Sequence, residues 1–156
     1  MSTSSLNGTR AAAAPVTLVL AFIAGALAVP VFHQVLYLLL HLAGIIPAAP
    51  YNMTPTKPLG VPALVSISFW GGVWGVVFAL TVRRWFSGPA YWIAALVAGG
   101  VALTLVAIFV VAPLKTGHLP ATIGRSFAIG FLLNAAWGIG WALFLALFER
   151  LRAARA

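Results

Sequence analysis

Apolar residues fill four long runs of this chain, and short polar segments separate the runs. The runs extend over residues 16–46, 61–82, 90–112 and 126–148. Each is at least as long as the ~20 residues that an α-helix needs to cross the hydrocarbon core of a bilayer. The pattern therefore predicts an all-α fold in which four transmembrane helices form a bundle.

The first run is longer than one membrane crossing requires, and Pro30 divides it. Proline removes a backbone hydrogen bond and clashes with the preceding turn, so helices kink at such a residue. We expect one long helix that is kinked at Pro30 and whose outer end leaves the membrane. The alternative is a membrane span followed by an apolar helix that lies near the interface.

The N-terminal segment also has the outline of a secretory signal peptide. Arg10 precedes an apolar stretch that contains the sequence Ala26-Leu27-Ala28, and signal peptides place their cleavage site after small residues of this kind. The apolar sequence here continues to Ile46, however. We therefore expect the segment to be retained.

The polar segments divide the chain into a membrane domain and two tails. We predict a flexible cytoplasmic tail at residues 1–14, a four-helix membrane domain at 15–150 and a basic cytoplasmic tail at 151–156. The proline-rich segment 47–60 is typical of a stiff, exposed loop. The segment 113–125 is the second polar loop.

The composition excludes an ordinary soluble fold. Hydrophobic residues make up 63% of the chain and charged residues 6%, whereas about a quarter of the residues of a soluble domain are charged. The formal net charge is +8, but the basic residues lie singly or in pairs at the ends of the apolar runs, where membrane topology places them. We expect the bilayer and other membrane proteins or further copies of this chain as partners, and no nucleic acid. Cysteine is absent, which excludes disulfides and thiolate chemistry.

The basic residues predict how the helices are oriented. Four spans place both chain ends and the segment between the second and third spans on one side. Basic residues are enriched in cytoplasmic segments, so the side that holds more of them is the cytoplasmic one. That side holds six, and the other holds three: Arg10, Arg83, Arg84, Arg150, Arg152 and Arg155 against Lys57, Lys115 and Arg125.

Two clusters of tryptophan and small residues lie inside the second and fourth runs. Each holds two small residues four positions apart, a spacing that lets two helix backbones approach closely, and two tryptophans four positions apart. We expect large-on-small packing between the second and fourth helices. The alternative is an aromatic-lined pocket for a quinone, haem or lipid. The predicted helix-packing residues are Trp70, Gly71, Trp74, Gly75, Trp137, Gly138 and Trp141.

Polar residues at helical spacing mark the outer half of the first run. His33, Tyr37 and His41 follow one another at intervals of four, with Gln34 beside them, and so form one stripe on a helix. The two histidines are about 12 Å apart along the axis, too far to bind one metal ion. We expect these groups to bond to neighbouring helices, to the carbonyl freed by Pro30 or to water. Asn134, deep in the last run, is expected to bond to another helix.

Carboxylates are nearly absent from the chain. Its one acidic residue, Glu149, lies at a helix end beside Arg150. Proton-coupled carriers rely on carboxylates inside the membrane, and hydrolases and metal enzymes mostly need a carboxylate or thiolate near the site. We therefore expect a protein that is not an enzyme and has no cofactor and no bound metal.

The sequence also indicates an internal duplication. Lys57 and Lys115 each lie five residues before a proline, and further along the chain Trp74-Gly75 matches Trp137-Gly138. A repeat of this kind would make the protein two related helix–loop–helix units. We treat it as a hypothesis.

The chain resembles the small, uncharacterised four-span integral membrane proteins of proteobacteria. The matching stretches are VFHQ at 31–34, PTKPLGVP at 55–62, FWGGVWG at 69–75 and VAPLK at 111–115. The resemblance implies an inner-membrane location and assigns no activity.

Three functions remain open from the sequence. The leading hypothesis is helix association, as a homo-oligomer or as an accessory subunit of a membrane complex. The alternative is a small oligomeric permease or channel built around His33 and Asn134, and the third is binding of a quinone, haem or lipid at the tryptophans. Polar side chains gathered round one cavity would favour transport. Dispersed polar side chains with exposed small-residue stripes would favour association.

Overall fold

Four long helices make up most of the protein. The computed structural model describes residues 15–155, so the predicted tail at 1–14 lies outside the described residues. The helices are α1 (Pro15–Leu42), α2 (Ala63–Trp85), α3 (Gly88–Thr116) and α4 (Ile123–Ala153), and each is long and apolar enough to span a membrane. The all-α four-helix prediction is confirmed, and the chain is a multi-pass membrane protein.

Helices α1 and α3 contain wider, π-helical turns. The turn in α1 covers Val29–His33 and includes Pro30, which lacks the N–H that a regular helix would use. The irregularity expected at Pro30 thus takes the form of a π-helical turn within one continuous helix. Helix α3 has such turns at Gly99–Leu103 and Ala107–Val111. Regular α-helix covers Pro15–Ala28 and Gln34–Leu42 in α1, and Gly88–Ala98, Thr104–Val106 and Ala112–Thr116 in α3.

Helix α2 is interrupted near its end, at Thr81. The backbone of Thr81 leaves the helical conformation there, with φ −115° and ψ −80°, which separates Ala63–Leu80 from Val82–Trp85. The Thr81 hydroxyl donates a 2.8 Å hydrogen bond to the Val77 carbonyl oxygen. The backbone N–H of Thr81 donates to the same oxygen at 3.0 Å, so the hydroxyl bond adds to the backbone bond, as threonine side chains in helices commonly do.

The two longer connections have local structure of their own. The α1–α2 connection, expected to be a loop, contains an antiparallel pair of short strands, β1 (Pro55–Thr56) and β2 (Val61–Pro62). The α3–α4 connection is shorter than expected because α3 continues to Thr116. Gly117 ends it in a left-handed conformation, with φ 80°, which glycine adopts at little cost.

Helices α1 and α4 lie in the middle of the bundle. Helix α1 packs along α2 and along α4, and α3 packs along α4, whereas α2 and α3 come together chiefly beside their short connection. The bundle therefore consists of two hairpins, α1–α2 and α3–α4, which meet through α1 and α4.

Candidate functional site

Two tryptophans of α4 occupy the centre of the bundle. Trp137 and Trp141 are 1% and 0% exposed, and the indole N–H of Trp137 donates a 2.9 Å hydrogen bond to the carbonyl oxygen of Gly25 in α1. Both rings meet the ring of Phe78 from α2 edge-on, with centroid distances of 5.3 and 5.5 Å. Edge-on contacts suit the charge distribution of aromatic rings. The protein's own rings thus occupy the space between these helices.

The glycine pair of α2 lies at a close crossing with α1. A Cβ atom on Gly71 would lie 2.8 Å from the Gly25 carbonyl oxygen, and one on Gly75 would overlap the carbonyl oxygen of Ala21. Indole atoms of Trp137 and Trp141 cover the same glycines at 3.1 Å from these positions. The closest backbone neighbour of the pair is therefore α1, while the large side chains that cover it come from α4.

The α3–α4 hairpin has a crossing of the same kind. A Cβ atom on Gly138 would overlap the carbonyl oxygen of Ala95, and one on Gly99 would lie 2.8 Å from the carbonyl oxygen of Asn134. Both crossings thus bring backbone against backbone, which only very small residues permit.

Constant sequence offsets relate the two crossings. The residues of α3 follow their counterparts in α1 by 74 positions, and those of α4 follow their counterparts in α2 by 63. The second offset also aligns Trp74-Gly75 with Trp137-Gly138, whereas the match of Lys57 with Lys115 has an offset of 58 and follows neither. The counterparts are Ala21 and Ala95, Gly25 and Gly99, Gly71 and Asn134, and Gly75 and Gly138.

The polar residues of α1 have separate environments. His33 lies in the interior, where its Nδ1 has no hydrogen-bond partner among the described residues. The Nδ1 of His41 lies 2.9 Å from the carbonyl oxygen of Ile46. Tyr37 borders a groove at the surface. The stripe predicted from their spacing therefore does not act as one site.

Gln34 anchors the α1–α2 connection to α1. Its Oε1 accepts a 2.8 Å hydrogen bond from the backbone N–H of Tyr51, and the Tyr51 hydroxyl donates a 3.0 Å bond to the carbonyl oxygen of Pro30. Tyr51 is thus attached to the π-helical turn region at two points. The sequence did not indicate Tyr51, because nothing in a proline-rich loop shows which of its residues returns to the helix.

Asn134 joins α4 to α3. Its Nδ2 donates a 2.9 Å hydrogen bond to Oγ1 of Thr104, and Thr104 is fully buried. The sequence did not single out Thr104, because a threonine in an apolar helix commonly bonds to its own backbone.

A surface groove of about 480 Å³ lies between the end of α1 and the start of α4. The Arg125 guanidinium borders it and donates a 2.8 Å hydrogen bond to the Ile45 carbonyl oxygen. The volume is in the range of small-molecule sites, and the lining combines one cation, hydroxyl groups and apolar walls. That combination suits an amphiphile with an anionic head. The groove is lined by Tyr37, Ile45, Ile46, Pro47, Thr122, Arg125, Ser126, Ile129 and Gly130.

Charged groups lie at the ends of the helices. Arg83 and Glu149 form a 3.0 Å ion pair between the ends of α2 and α4, and a partly exposed pair of this kind contributes roughly 0–1 kcal/mol.

Within residues 15–155, no group of three or more His, Asp or Glu side chains is placed to hold a metal ion.

Comparison of the chain with protein-family models, curated proteins and solved structures finds no match. The function therefore has to be inferred from the chain's own residues. The structure brings Gly71, Gly75, Trp137, Gly138 and Trp141 into close helix contacts. It keeps the candidate polar residues apart.

Proposed function

We propose that the protein acts by association within the membrane, as a homo-oligomer or as an accessory subunit of a larger complex. Trp70 carries this proposal. Its side chain is 58% exposed, and it lies seven residues inside α2, which is about 10 Å along the helix. Tryptophan is usually found at the membrane interfaces, whereas this position falls inside a hydrocarbon core ~30 Å thick.

An exposed indole at this depth is accommodated better by protein than by lipid. The indole N–H is stabilised by a hydrogen-bond acceptor, which a protein surface can supply and hydrocarbon cannot. Phe69 lies beside Trp70 with its ring edge-on at 5.8 Å and is exposed as well. Aromatic surfaces of this kind are enriched where proteins contact one another.

The dispersal of the polar side chains argues against transport through one copy. His33, His41 and Asn134 have different surroundings, and the rings of Trp137, Trp141 and Phe78 occupy the centre. The glycine pairs are covered within the chain, however, so they do not supply the association surface. That surface has to be aromatic and aliphatic.

We further propose that the membrane is a bacterial inner membrane and that both termini are cytoplasmic. Among the described residues, Arg83, Arg84, Arg150, Arg152 and Arg155 lie at one end of the bundle, and Lys57, Lys115 and Arg125 at the other. This asymmetry follows the excess of basic residues in cytoplasmic segments. The resemblance to proteobacterial four-span proteins agrees with this location.

Association is tested on protein extracted together with its own lipid. Membranes are dissolved with an amphipathic copolymer, and the mass of the protein in the resulting discs is measured by native mass spectrometry. We expect particles that contain more than one protein chain. Particles with a single 16.3 kDa chain at every concentration would contradict the proposal.

A second candidate function is favoured by the groove beside Arg125. Its cation and apolar walls suit an anionic lipid, because a guanidinium forms charge-assisted hydrogen bonds with a phosphate. The same native mass spectra should show an anionic lipid retained by the parent and lost from Arg125→Gln. Arg84→Gln is the matched control and should retain as much of the anionic lipid as the parent does. If Arg125→Gln also retained as much lipid as the parent, this function would be excluded.

A further inference from the structure

The two hairpins meet through a contact that has no counterpart within one copy. In that contact Trp137 of α4 donates its hydrogen bond to Gly25 of α1, and the side chain of Phe32 covers Gly140. By the offsets of 74 and 63, the equivalent contact would join α3 to α2. Those two helices come together chiefly beside their connection.

The exposure of residues along α2 differs from that along α4 at the positions of this missing contact. Several exposed positions of α2 have exposed counterparts in α4: Val65 and Ala128, Phe69 and Leu132, and Leu80 and Leu143. Three other positions of α2 are uncovered although their counterparts in α4 are buried. They are Trp70, Trp74 and Val77, which are exposed or half-buried, while their counterparts Leu133, Trp137 and Gly140 are buried.

These three positions lie on one side of α2. Their spacing of four and then three residues places them in one stripe along a helix. The counterpart stripe on α4 includes the two residues that contact α1, Trp137 and Gly140. The uncovered side of α2 is therefore the side that corresponds to the α1-facing side of α4.

Helix α3 shows the complementary difference. Ala24 and Ala28 of α1 are fully buried, whereas their counterparts Ala98 and Ala102 are half-buried. Small side chains such as these let another helix approach closely. The large residues on the stripe of α2 are thus complementary in size to these small residues on α3.

We propose that α2 of one copy packs on α3 of a second copy in the way that α4 packs on α1 within each copy. The inference rests on the proposed function, because it names the partner and the surface of that association. A second copy fits because it carries both halves of the contact. Packing α2 on α3 and α3 on α2 at once closes a two-fold dimer that uses both surfaces. In this dimer the indole N–H of Trp74 donates a hydrogen bond to the carbonyl oxygen of Gly99 in the other copy.

The absence of cysteine from the chain permits a direct test by disulfide cross-linking. A Cβ atom on Gly140 would lie 3.0 Å from the Cβ of Phe32, and disulfides join Cβ atoms about 3.5–4.5 Å apart. The equivalent pair in the dimer is Val77 with Val106. Two copies with different tags are co-expressed, one with Val77→Cys and the other with Val106→Cys, and membranes are oxidised before gel analysis.

We expect a cross-linked dimer that carries both tags and disappears on reduction. The matched control replaces Val77→Cys with Leu80→Cys, which is exposed on another side of α2 and has an exposed counterpart in α4, and should cross-link at least tenfold less. Equal cross-linking of the two pairs would overturn the proposed surface. Assemblies of several chains in the lipid discs without a Val77–Val106 cross-link would overturn this inference and leave the association intact. Single chains in the discs would refute both.

Discussion

Replacing Gly75 with alanine tests the close crossing of α1 and α2. The new methyl group would overlap the Ala21 carbonyl oxygen and would lie 3.1 Å from two indole atoms of Trp141. The carbonyl belongs to the backbone of a helix, so it cannot rotate away as a side chain can. The two helices must separate instead.

The expected cost follows from that separation. Carbon and carbonyl oxygen sit about 3.3–3.6 Å apart in close helix contacts, so the helices must move by roughly 1 Å. A gap of about 0.5–1 Å forfeits a quarter to a half of the dispersion energy between facing atoms. Insertion of one carbon into a tight core costs about 1–3 kcal/mol, and inside lipid no hydrophobic effect between helices compensates.

The gain in helix propensity has to be separated from this cost. Alanine favours a helix over glycine by about 1 kcal/mol, which would partly hide the strain. Gly124 supplies the matched control, because it lies in the first turn of α4 and a Cβ atom there would meet nothing within 4 Å. The difference between Gly75→Ala and Gly124→Ala therefore measures chiefly the packing term.

Reversible unfolding in mixed micelles, followed by circular dichroism while SDS is added, gives the free energy of unfolding of each variant. We expect Gly75→Ala to lie about 1–3 kcal/mol below Gly124→Ala. Gly138→Ala, at the equivalent crossing on Ala95, should lose a similar amount. Equal free energies of unfolding for the Gly75 and Gly124 variants would refute the close crossing.

Three further predictions concern the bonds, orientation and N-terminus of the chain. Asn134→Ala should lower the free energy of unfolding by about 0.6–2 kcal/mol, and a double-mutant cycle with Thr104→Val should show coupling; independent effects would mean that the 2.9 Å bond does not form. Reporter fusions at Ser87 and Lys115 should report opposite sides of the membrane, with Ser87 cytoplasmic, and the same side for both would contradict four spans. Mass spectrometry of the purified protein should find residues before Val29, since α1 packs against both α2 and α4; a protein that begins at Val29 would show that the segment is a cleaved signal.

The number and approximate positions of the helices could be predicted because the length of an apolar run is a direct property of the sequence, whereas α3 and α4 continue beyond their apolar runs to Thr116 and Ala153. The faces of those helices could not be predicted, since in lipid both the buried and the exposed faces are apolar. Trp70 and Trp137 look alike in their clusters, yet one is 58% exposed and the other 1%. Periodicity in hydrophobicity, which reveals the inner face of a helix in a soluble protein, carries little information here.

The contact partners of the polar and small residues could not be predicted from the sequence either. Gly25, which meets Gly71, is one small residue in a segment full of alanine, so nothing set it apart. The acceptor of Asn134 and the loop tyrosine held by Gln34 depend on how distant segments meet. The matching dipeptides Trp74-Gly75 and Trp137-Gly138 did carry such information, because they occupy equivalent positions of the two hairpins.

The position of Trp137 and Trp141 over the α1–α2 crossing has a consequence for biogenesis. Ribosomes deliver α1 and α2 before α4, so the glycines of α2 and the Gly25 carbonyl remain uncovered until α4 has been synthesised. The early hairpin then leaves the glycines of α2 and the Gly25 carbonyl oxygen without the cover of the two indoles, a surface that quality-control proteases and insertases encounter before the last helix arrives. Chains truncated before Trp137 are therefore expected to be short-lived in cells, with a half-life well below that of the full-length protein.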